Sequence, residues 1–407
     1  MALFKEGIPR ETTFSAIPNK IKVAIGMRRT GKTHFLLQKI HSLQKKNIPL
    51  SRVFYLNFED DRLLPITQEK LRNFINEFYS LYPENHEKMC YFFLDEIQNV
   101  ESWPILIRRI FDSKQIEIYL TGSSAKLLSK EIASSLRGRS VATEIWPFSF
   151  SEYLLSQKKS VENKIVGQAS KDKLMQNLLA YLDQGGFPES INLEATDRNG
   201  LLQDYVNVVI FRDIIERYGI TNIALIKYMI KSLLMNVGTS FSVNKFFNDL
   251  KSQGFSVSKM TIYDYLSYIE DAYLVFTVPL YSESIRKTNS NPRKIYAIDP
   301  GLARAYTSSL SKNQGHLFEN LIYLDLRRKG HEIYYYLTQE RYEVDFLSKD
   351  RNGKLHLYQV VWDNSGADTI ERETRALHAA EKELGIKGQI ITPLDYLITL
   401  YSTTQML

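Results

Sequence analysis

Cysteine is almost absent from this sequence of 407 residues, in which Cys90 stands alone. A single thiol excludes an intramolecular disulfide and is typical of a reducing compartment. Long apolar runs are also missing: no segment has the ~20 consecutive apolar residues of a membrane span, and the first residues lack the apolar stretch of a signal peptide. We therefore expect a cytoplasmic protein without a membrane partner.

A large excess of one charge is missing too. The net charge is +6 with a pI of about 9.0, which permits an acidic partner without requiring one. Apolar residues make up 44% and aromatic residues 12% of the chain, a composition that excludes an intrinsically disordered protein. Because a chain of 407 residues is longer than one hydrophobic core can support, two or three domains are expected.

Residues 20–145 alternate between the patterns of buried strands and amphipathic helices. Strands are predicted at 22–25, 53–56, 91–94, 116–120 and 141–145, and helices at 33–46, 67–82, 102–112 and 124–137. Such alternation builds a parallel sheet that helices cover on both faces. The predicted fold class of this part is therefore α/β.

Residues 26–33 read Gly-Met-Arg-Arg-Thr-Gly-Lys-Thr and match the P-loop pattern GxxxxGK(S/T) between a predicted strand and a predicted helix. Backbone N–H groups of such a loop surround phosphates, and the helix N-terminus adds partial positive charge. Lys32 is expected to bridge the β- and γ-phosphates of ATP, and the Thr33 hydroxyl to ligate Mg²⁺. The predicted nucleotide contacts in this loop are Gly26, Arg28, Arg29, Thr30, Gly31, Lys32 and Thr33.

An acidic pair, Asp95-Glu96, follows the apolar strand predicted at 91–94. In a parallel sheet this places the pair at the carboxyl edge, beside the loop that follows the first strand. Asp95 is expected to hold Mg²⁺ through water, and Glu96 to orient or deprotonate the attacking water. The alternative is a carboxylate pair that merely opens a helix. The strand at 53–56 lies between the two motifs, which favours the added-strand class of P-loop ATPases.

Polar and cationic residues after the fourth predicted strand are further candidates. Ser123, or Thr121 before it, could contact the γ-phosphate, although Ser123 or Ser124 could equally cap the next helix. Arg139 is the candidate for a catalytic cation that stabilises the transition state, in cis or from a neighbouring subunit. Arg137 could play the same part, and a structural ion pair is the alternative for either arginine.

Further motifs accompany the P-loop and the acidic pair: Gly-Gly-Phe-Pro-Glu at 185–189, Lys-Ile-Tyr-Ala-Ile-Asp-Pro-Gly-Leu at 294–302 and Gly-His-Leu-Phe-Glu-Asn at 315–320. Together they resemble prokaryotic AAA-type P-loop ATP-binding proteins that carry a C-terminal domain of unknown function and are related to the archaeal ATPase group. The resemblance implies a P-loop ATPase domain (1–150), a helical extension (151–222), a winged-helix region (223–305) and a small α+β domain (306–407) that resembles PD-(D/E)xK nucleases.

Two helices predicted at 242–252 and 258–272, with Gly254 in the turn, have the spacing of a helix-turn-helix. The second helix carries one cation, Lys259, and three carboxylates, Asp264, Glu270 and Asp271. Reading a duplex normally needs net cationic contact, so we favour an intramolecular docking role over DNA binding.

The segment 282–294 is polar and basic and contains Pro292, which is typical of a linker. Its cations are Arg286, Lys287, Arg293 and Lys294. They give the wing of the implied winged helix a basic character, and from there they could contact phosphates.

Nucleases of the resembled type combine a helix Glu, a strand-end Asp and a Glu-x-Lys on the next strand, and their carboxylates bind Mg²⁺. Glu319 and Asp345 fill the first two positions, whereas the third aligns with Gln359-Val360-Val361. Because Gln359 brings no charge and Val361 no hydrogen-bond donor, we expect no cleavage, unless Lys354 takes over the missing role. Glu319 and Asp345 would otherwise be a polar cluster that holds the fold.

The predicted function is that of a regulatory ATPase that uses ATP and Mg²⁺ and whose nucleotide state moves the winged-helix and C-terminal domains toward an unknown protein partner. Two alternatives stay open: a DNA-processing protein with an ATP-controlled nuclease, and a nucleotide-dependent scaffold with little turnover. DNA is the less favoured partner, and oligomerisation is required only if an arginine acts in trans.

Overall fold

A computed structural model describes residues 7–122, 136, 138–158, 167–307, 314–362 and 367–404. The chain divides into two compact units, the first formed by residues 1–146 and 271–273 and the second by residues 147–270 and 274–407. Within the described residues, no helix combines the length and the hydropathy that a membrane span requires.

The first unit is built around a five-stranded parallel sheet, as the alternating pattern predicted. Its strands are β1 (Ile21–Ile25), β2 (Val53–Asn57), β3 (Cys90–Asp95), β4 (Ile116–Gly122) and β5 (Ser140–Glu144). The described helices are α1 (Lys32–Lys45), α2 (Gln68–Leu81) and α3 (Trp103–Ser113). The helix predicted at 124–137 lies, except for Leu136, outside the described residues.

The spatial order of the strands, β2-β3-β4-β1-β5, confirms the added-strand class. β4 pairs with β1 on one side and with β3 on the other, always in parallel. The strand that separates the two motifs in space is therefore β4, whereas β2, which separates them in sequence, lies at the edge beyond β3. Because the strands are parallel, their carboxyl ends share one edge of the sheet, where ligands of such folds bind.

Successive side chains of the central strands enter two different apolar layers, which is why these strands read as continuous apolar runs. Phe92 belongs to the layer formed with α2 and α3. The next residue, Phe93, belongs to the layer formed with α1, where its ring stacks on Tyr119 of β4 at 4.7 Å between centroids. Helices on both faces thus fix the sheet and the edge that carries the candidate site.

The second unit begins with helices, in agreement with the helical region expected after the ATPase domain. These are α4 (Phe150–Ser156), α5 (Gln168–Gln184), α6 (Ala195–Val208) with a π-helical continuation (Val209–Ile215) and a last turn (Glu216–Tyr218), and α7 (Ile223–Met235). The two helices of the predicted helix-turn-helix follow as α8 (Val243–Ser252) and α9 (Lys259–Asp271).

Two sheets complete the second unit. The strands β6 (Ser240–Phe241), β7 (Val275–Val278) and β8 (Arg293–Ala297) form an antiparallel sheet in the order β6-β8-β7. The strands β9 (Glu332–Leu337), β10 (Glu343–Lys349), β11 (Leu355–Val360) and β12 (Gly388–Ile391) form a mixed sheet in the order β12-β11-β10-β9. The remaining helices are α10 (Ile285–Ser290), α11 (Pro300–Arg304), α12 (Gln314–Arg328), α13 (Ala367–Leu384) and α14 (Pro393–Thr404).

The prediction of a linker at 282–294 is wrong. This segment contains α10 and the first residues of β8, which is the central strand of its sheet. β8 pairs with a strand on each side, and its residues from Lys294 to Ala297 are buried.

Asp299 connects two of the sequence motifs. Its Oδ2 accepts a hydrogen bond of 2.7 Å from the Gly186 N–H, and its Oδ1 accepts one of 2.9 Å from the Leu302 N–H at the start of α11. Gly185 has a φ of 75°, and a Cβ on it would stand 2.0 Å from Asp299 Oδ1. The backbone at Gly185-Gly186 therefore lies directly against a buried carboxylate.

Candidate functional site

The P-loop connects the carboxyl end of β1 to α1. Gly26 has a φ of 149°, and a Cβ on it would lie 2.3 Å from the carbonyl oxygen of Ile145. Only glycine therefore fits at this turn. Gly31 is the N-cap of α1, and no side chain among the described residues caps the helix. The first N–H groups of α1 are thus left for an anion.

Lys32 is held over the loop by the loop's own backbone. Its ammonium donates to the carbonyl oxygens of Gly26 and Met27 at 3.2 and 3.0 Å, and only 5% of the residue is exposed. The same nitrogen lies 3.8 Å from Oε1 of Glu96. The structure therefore brings the loop at 26–33 and the acidic pair together, across the intervening strand β4.

Asp95 is fully buried at the end of β3 and receives hydrogen bonds from three hydroxyl groups. Thr121 of β4 donates to Oδ1, Tyr55 of β2 donates to Oδ2 at 3.3 Å, and Thr33 donates as well. Burial raises the pKa of the Asp95 carboxyl, and the hydrogen bonds from Thr121 and Thr33 oppose this rise. The two predicted Mg²⁺ ligands, Thr33 and Asp95, are thus in contact.

Glu96 is fixed through both its backbone and its side chain. Its φ of 55° lies in the left-handed region, and its N–H donates to the Thr121 hydroxyl at 2.8 Å. Gln98 donates from Nε2 to Glu96 Oε2 at 2.5 Å. The Thr121 hydroxyl is therefore engaged by both acidic residues, and its contact with the γ-phosphate stays a prediction.

Other residues stabilise the conformation of the loop. The Thr30 hydroxyl donates to the Met27 carbonyl at 2.9 Å, and Arg28 forms an ion pair of 3.1 Å with Glu59. Arg10, which precedes β1, donates to the Thr30 carbonyl at 3.0 Å. Nucleotide contacts by Arg28, Arg29 and Thr30 stay predictions.

Sequence reasoning missed three residues of the site, Arg10, Tyr55 and Gln98. Arg10 and Tyr55 lie in no motif, and nothing in their spacing indicated contact with the site. Gln98 stands two positions after Glu96 within Leu-Asp-Glu-Ile-Gln, and this proximity was the one available signal.

Arg139 lies at the wrong edge of the sheet for a catalytic role in cis. It immediately precedes β5, and its carbonyl accepts a hydrogen bond of 2.8 Å from the N–H of Ile21, the first residue of β1. A five-residue strand separates this amino edge from the P-loop by about 15 Å. Arg139 instead pairs with Asp112 at 2.9 Å. The predicted nucleotide contact Ser123, and Arg137, lie outside the described residues.

A second cluster of charges lies in the second unit, around Lys294. Its ammonium is 2.9 Å from Glu319 Oε1, 2.9 Å from Glu343 Oε1 and 2.8 Å from Asp345 Oδ1. We call these three side chains the carboxylate cage. Lys294 is only 3% exposed, so the prediction that it contacts phosphates from the wing is wrong: it extends from the central strand β8 into the interior.

Gln359, at the third position of the nuclease pattern, supports the fold of the second unit. Its Oε1 accepts from the N–H of Asp345 at 3.2 Å, and its Nε2 donates to Glu373 at 2.6 Å. Lys354 is exposed in the turn before β11, and the cation near the carboxylates is Lys294 instead. Across the described ranges, no three His, Cys, Asp or Glu side chains are arranged to hold a metal ion.

On α9, the single cation considered for DNA contact lies against an aromatic ring: Lys259 Nζ is 5.4 Å from the ring centre of Phe247. The exposed residues of the same helix include Met260 at 68% and Tyr263 at 46%. The helix therefore presents apolar side chains, whereas the carboxylate of Asp271 is buried and that of Glu270 accepts hydrogen bonds from Thr277.

Comparisons with known proteins agree with the first unit's geometry. Residues 18–154 match the family model of an AAA domain, and residues 175–313 and 314–402 match two domains of unknown function, DUF8612 and DUF4143. The uncharacterized protein MJ1544 of Methanocaldococcus jannaschii is 37% identical over 394 residues, which cover 96% of this chain and 85% of that protein. This chain belongs to the family of that protein.

An uncharacterized protein of Haemophilus influenzae is 30% identical over 346 residues, which cover 84% of this chain and 82% of that protein. Solved structures with similarity are ORC2 of Aeropyrum pernix in its ADP form (13% identity, TM-score 0.36, 72% of this chain and 89% of that one) and AMPPCP-bound DnaA of Aquifex aeolicus (15%, 0.30, 63% and 83%). At scores this low, no function follows from the likeness. The AAA assignment is confirmed, and the nuclease-like nature of the C-terminal domain stays a prediction.

Proposed function

We propose that this chain is a Mg²⁺-dependent ATPase whose nucleotide state regulates the interactions of its C-terminal region. One observation carries the proposal: Lys32 lies 3.8 Å from Glu96, beside the hydrogen bond between Thr33 and Asp95. The match of residues 18–154 to an AAA domain supports it. A phosphate-binding lysine, a metal-binding pair and a base are thus assembled at one edge of a parallel sheet.

The residues of the site fit both ATP and Mg²⁺. Hydroxyl and carboxylate oxygens are the ligands that Mg²⁺ prefers, and Thr33 and Asp95 would hold the ion, which when bound neutralises charge on the phosphates. Lys32 would exchange its bonds with the Gly26 and Met27 carbonyls for bonds with phosphate oxygens. The N–H groups at the start of α1 would bind further oxygens.

Glu96 is proposed to orient or deprotonate the attacking water. When Lys32 turns toward the phosphates, the Glu96 carboxylate loses its cationic neighbour and becomes a better acceptor for a proton from water. Gln98 keeps the carboxylate in place during this exchange.

We propose that the region after the ATPase unit binds the partner whose interaction the nucleotide state regulates. Residues 223–297 follow the element order helix, strand, helix, helix, strand, helix, strand with an antiparallel sheet, and we interpret this order as a winged helix with the short helix α10 in its wing. The exposed Met260 and Tyr263 on α9 favour a protein partner over DNA. For residues 306–407 we propose no nuclease activity, because Gln359 is engaged with Asp345 and Glu373 and supplies no charge for a metal.

Binding and single-turnover assays on three proteins test the ATPase proposal. We expect Glu96→Gln to bind ATP within about twofold of the wild-type Kd while its hydrolysis rate falls about 100-fold, and Lys32→Ala to lose ATP binding. A wild-type protein that binds ATP but does not hydrolyse it in a single turnover would instead be a scaffold.

Two further measurements of ATP hydrolysis, one with duplex DNA and one at varied protein concentration, test for partners. Stimulation of hydrolysis by duplex DNA would favour the DNA-processing alternative. A specific rate that rises with protein concentration would indicate assembly, because a group from a neighbouring subunit would then contribute to the site.

A further inference from the structure

We propose that Lys294 is the permanent cation of the carboxylate cage and that its ammonium excludes a divalent metal ion from it. The inference concerns the second unit alone and holds whether or not the chain hydrolyses ATP.

The carboxylate cage is built around a single ammonium group. A lysine carries three N–H donors, and Lys294 Nζ has three carboxylate oxygens at 2.8 to 2.9 Å. The ammonium donates hydrogen bonds to Glu319 on α12 and to Asp345 on β10, and Glu343, an exposed residue of β10, is its third ion-pair partner. The cage surrounds the nitrogen rather than lying beside it.

Neighbouring groups complete the cage. The Tyr296 hydroxyl donates to Glu319 Oε1 at 2.6 Å, and the Val360 N–H donates to Asp345 Oδ2 at 2.9 Å. Such pairing is what a buried ionic cluster requires, since buried charges are otherwise strongly destabilising. The buried carboxylates of the cage therefore have hydrogen-bond partners in addition to Lys294, as in an ionic cluster that stabilises the fold.

Lys294 stays charged in this environment. Burial alone would lower the pKa of its ammonium, but Tyr296, Asp345 and Glu319 raise that pKa well above its usual value. Lys294 in turn keeps the pKa of Glu319 below its usual value, although burial acts to raise it. Lys294 and Glu319 thus stabilise each other's charged forms, whereas burial raises the pKa of Asp345 to about 7 against the lowering effect of Lys294.

A divalent ion would need the position that the ammonium holds. Ca²⁺ takes oxygen ligands at about 2.3–2.6 Å, a few tenths of an ångström shorter than the distances from Lys294 Nζ to the cage oxygens. While the ammonium occupies the centre of the cage, these three carboxylates are not arranged to hold a metal ion. Removal of the lysine side chain should open that centre to Ca²⁺.

Binding of Ca²⁺ alone, without nucleotide, tests the proposal by titration calorimetry and thermal unfolding. We expect Lys294→Ala to melt at a lower temperature than wild type, to regain stability with Ca²⁺, and to bind it at least about tenfold more tightly. The double variant Lys294→Ala/Asp345→Asn should lose this gain. Lys387→Ala, which removes an exposed lysine, is the matched control and should behave as wild type.

The wild-type protein gives a second test that does not depend on a variant's folding. Its Ca²⁺ affinity should be the same as that of Glu319→Gln, and it should not nick plasmid DNA with Mg²⁺ or Mn²⁺. Ca²⁺ binding by wild type that disappears in Glu319→Gln, or metal-dependent nicking that disappears in Asp345→Ala, would overturn the proposal. Either result would make Lys294 a neighbour of a metal rather than its replacement.

Discussion

Gln98 donates a hydrogen bond of 2.5 Å from Nε2 to Oε2 of Glu96. The other carboxylate oxygen of Glu96 lies 3.8 Å from Lys32 Nζ, so both oxygens are engaged. Gln98 Oε1 is buried and has no hydrogen-bond partner in the part of the chain that the structure describes, which costs about 1–3 kcal/mol. A glutamine held in this way is best explained by the orientation that it gives to Glu96.

Gln98→Ala should therefore slow hydrolysis without weakening nucleotide binding. We expect kcat to fall about tenfold, because the freed carboxylate is no longer aimed at the attacking water, while the Kd for ATP stays unchanged. Single-turnover rates and equilibrium binding measure the two quantities separately. Gln44→Ala, on the exposed side of α1, is the control, and a wild-type kcat in Gln98→Ala would show that Glu96 needs no such partner.

Thr121→Val should loosen the metal-binding pair. The Thr121 hydroxyl donates to Asp95 and accepts from the Glu96 N–H, and its loss leaves a buried N–H unpaired, at about 1–3 kcal/mol of unfolding free energy. The pKa of Asp95, already raised by burial, should rise further, so that half-maximal hydrolysis requires more Mg²⁺. Urea denaturation and Mg²⁺ titration check both effects. Thr121→Ser should restore the wild-type stability and the wild-type Mg²⁺ requirement. Equal Mg²⁺ requirements in all three proteins would contradict the orienting role.

The motif residues could be predicted from the sequence because each motif determines a backbone conformation and a position at the edge of a parallel sheet. Lys32 and Glu96 meet for this reason. The placement of Arg139 at the amino edge could also have been predicted, since it directly precedes a predicted strand parallel to β1. The proximity of Gln98 to Glu96 in the sequence was a signal, but the hydrogen bond between them depends on the left-handed backbone of Glu96, which no sequence pattern indicated.

Lys294 shows where composition misleads. Its segment contains Pro292 and several cations, and such residues are typical of a solvated linker. Its burial depends instead on β8 pairing with two strands and on carboxylates 25 and 51 positions further along the chain. Contacts at that separation are set by the tertiary fold and leave no local signal.

Arg139→Ala should not slow hydrolysis in dilute protein, because the residue lies about 15 Å from the P-loop across the sheet. Its exposed ion pair with Asp112 should contribute less than about 1 kcal/mol to the unfolding free energy in a double-mutant cycle with Asp112→Ala. Rates measured over a range of protein concentrations complete the test. A rate that rises with concentration in wild type, and not in Arg139→Ala, would identify a role in trans.

Asp299 should make the stability of the second unit depend on pH. Burial raises the pKa of Asp299 to about 6, against the lowering effect of the Gly186 and Leu302 N–H groups and of Arg328, whereas an unfolded Asp titrates near pH ~3.9. The folded state therefore binds more protons between these values. The stability from Asp299 is complete below the unfolded pKa and is lost as pH rises through the folded one, by about 3 kcal/mol in total.

Asp299→Asn removes this titration. It also lowers the unfolding free energy by an amount that does not vary with pH, because the NH₂ group of the amide is a donor and would face the N–H donor of Gly186 or Leu302. Urea denaturation of both proteins at pH 4, 5, 6 and 7 measures the effect. We expect the stability advantage of wild type over the variant to shrink by about 2 kcal/mol from pH 4 to pH 7, because part of the total effect lies below pH 4. Parallel stability curves would mean that Asp299 ionises in the folded protein as it does in the unfolded chain, and that its hydrogen bonds fully offset its burial.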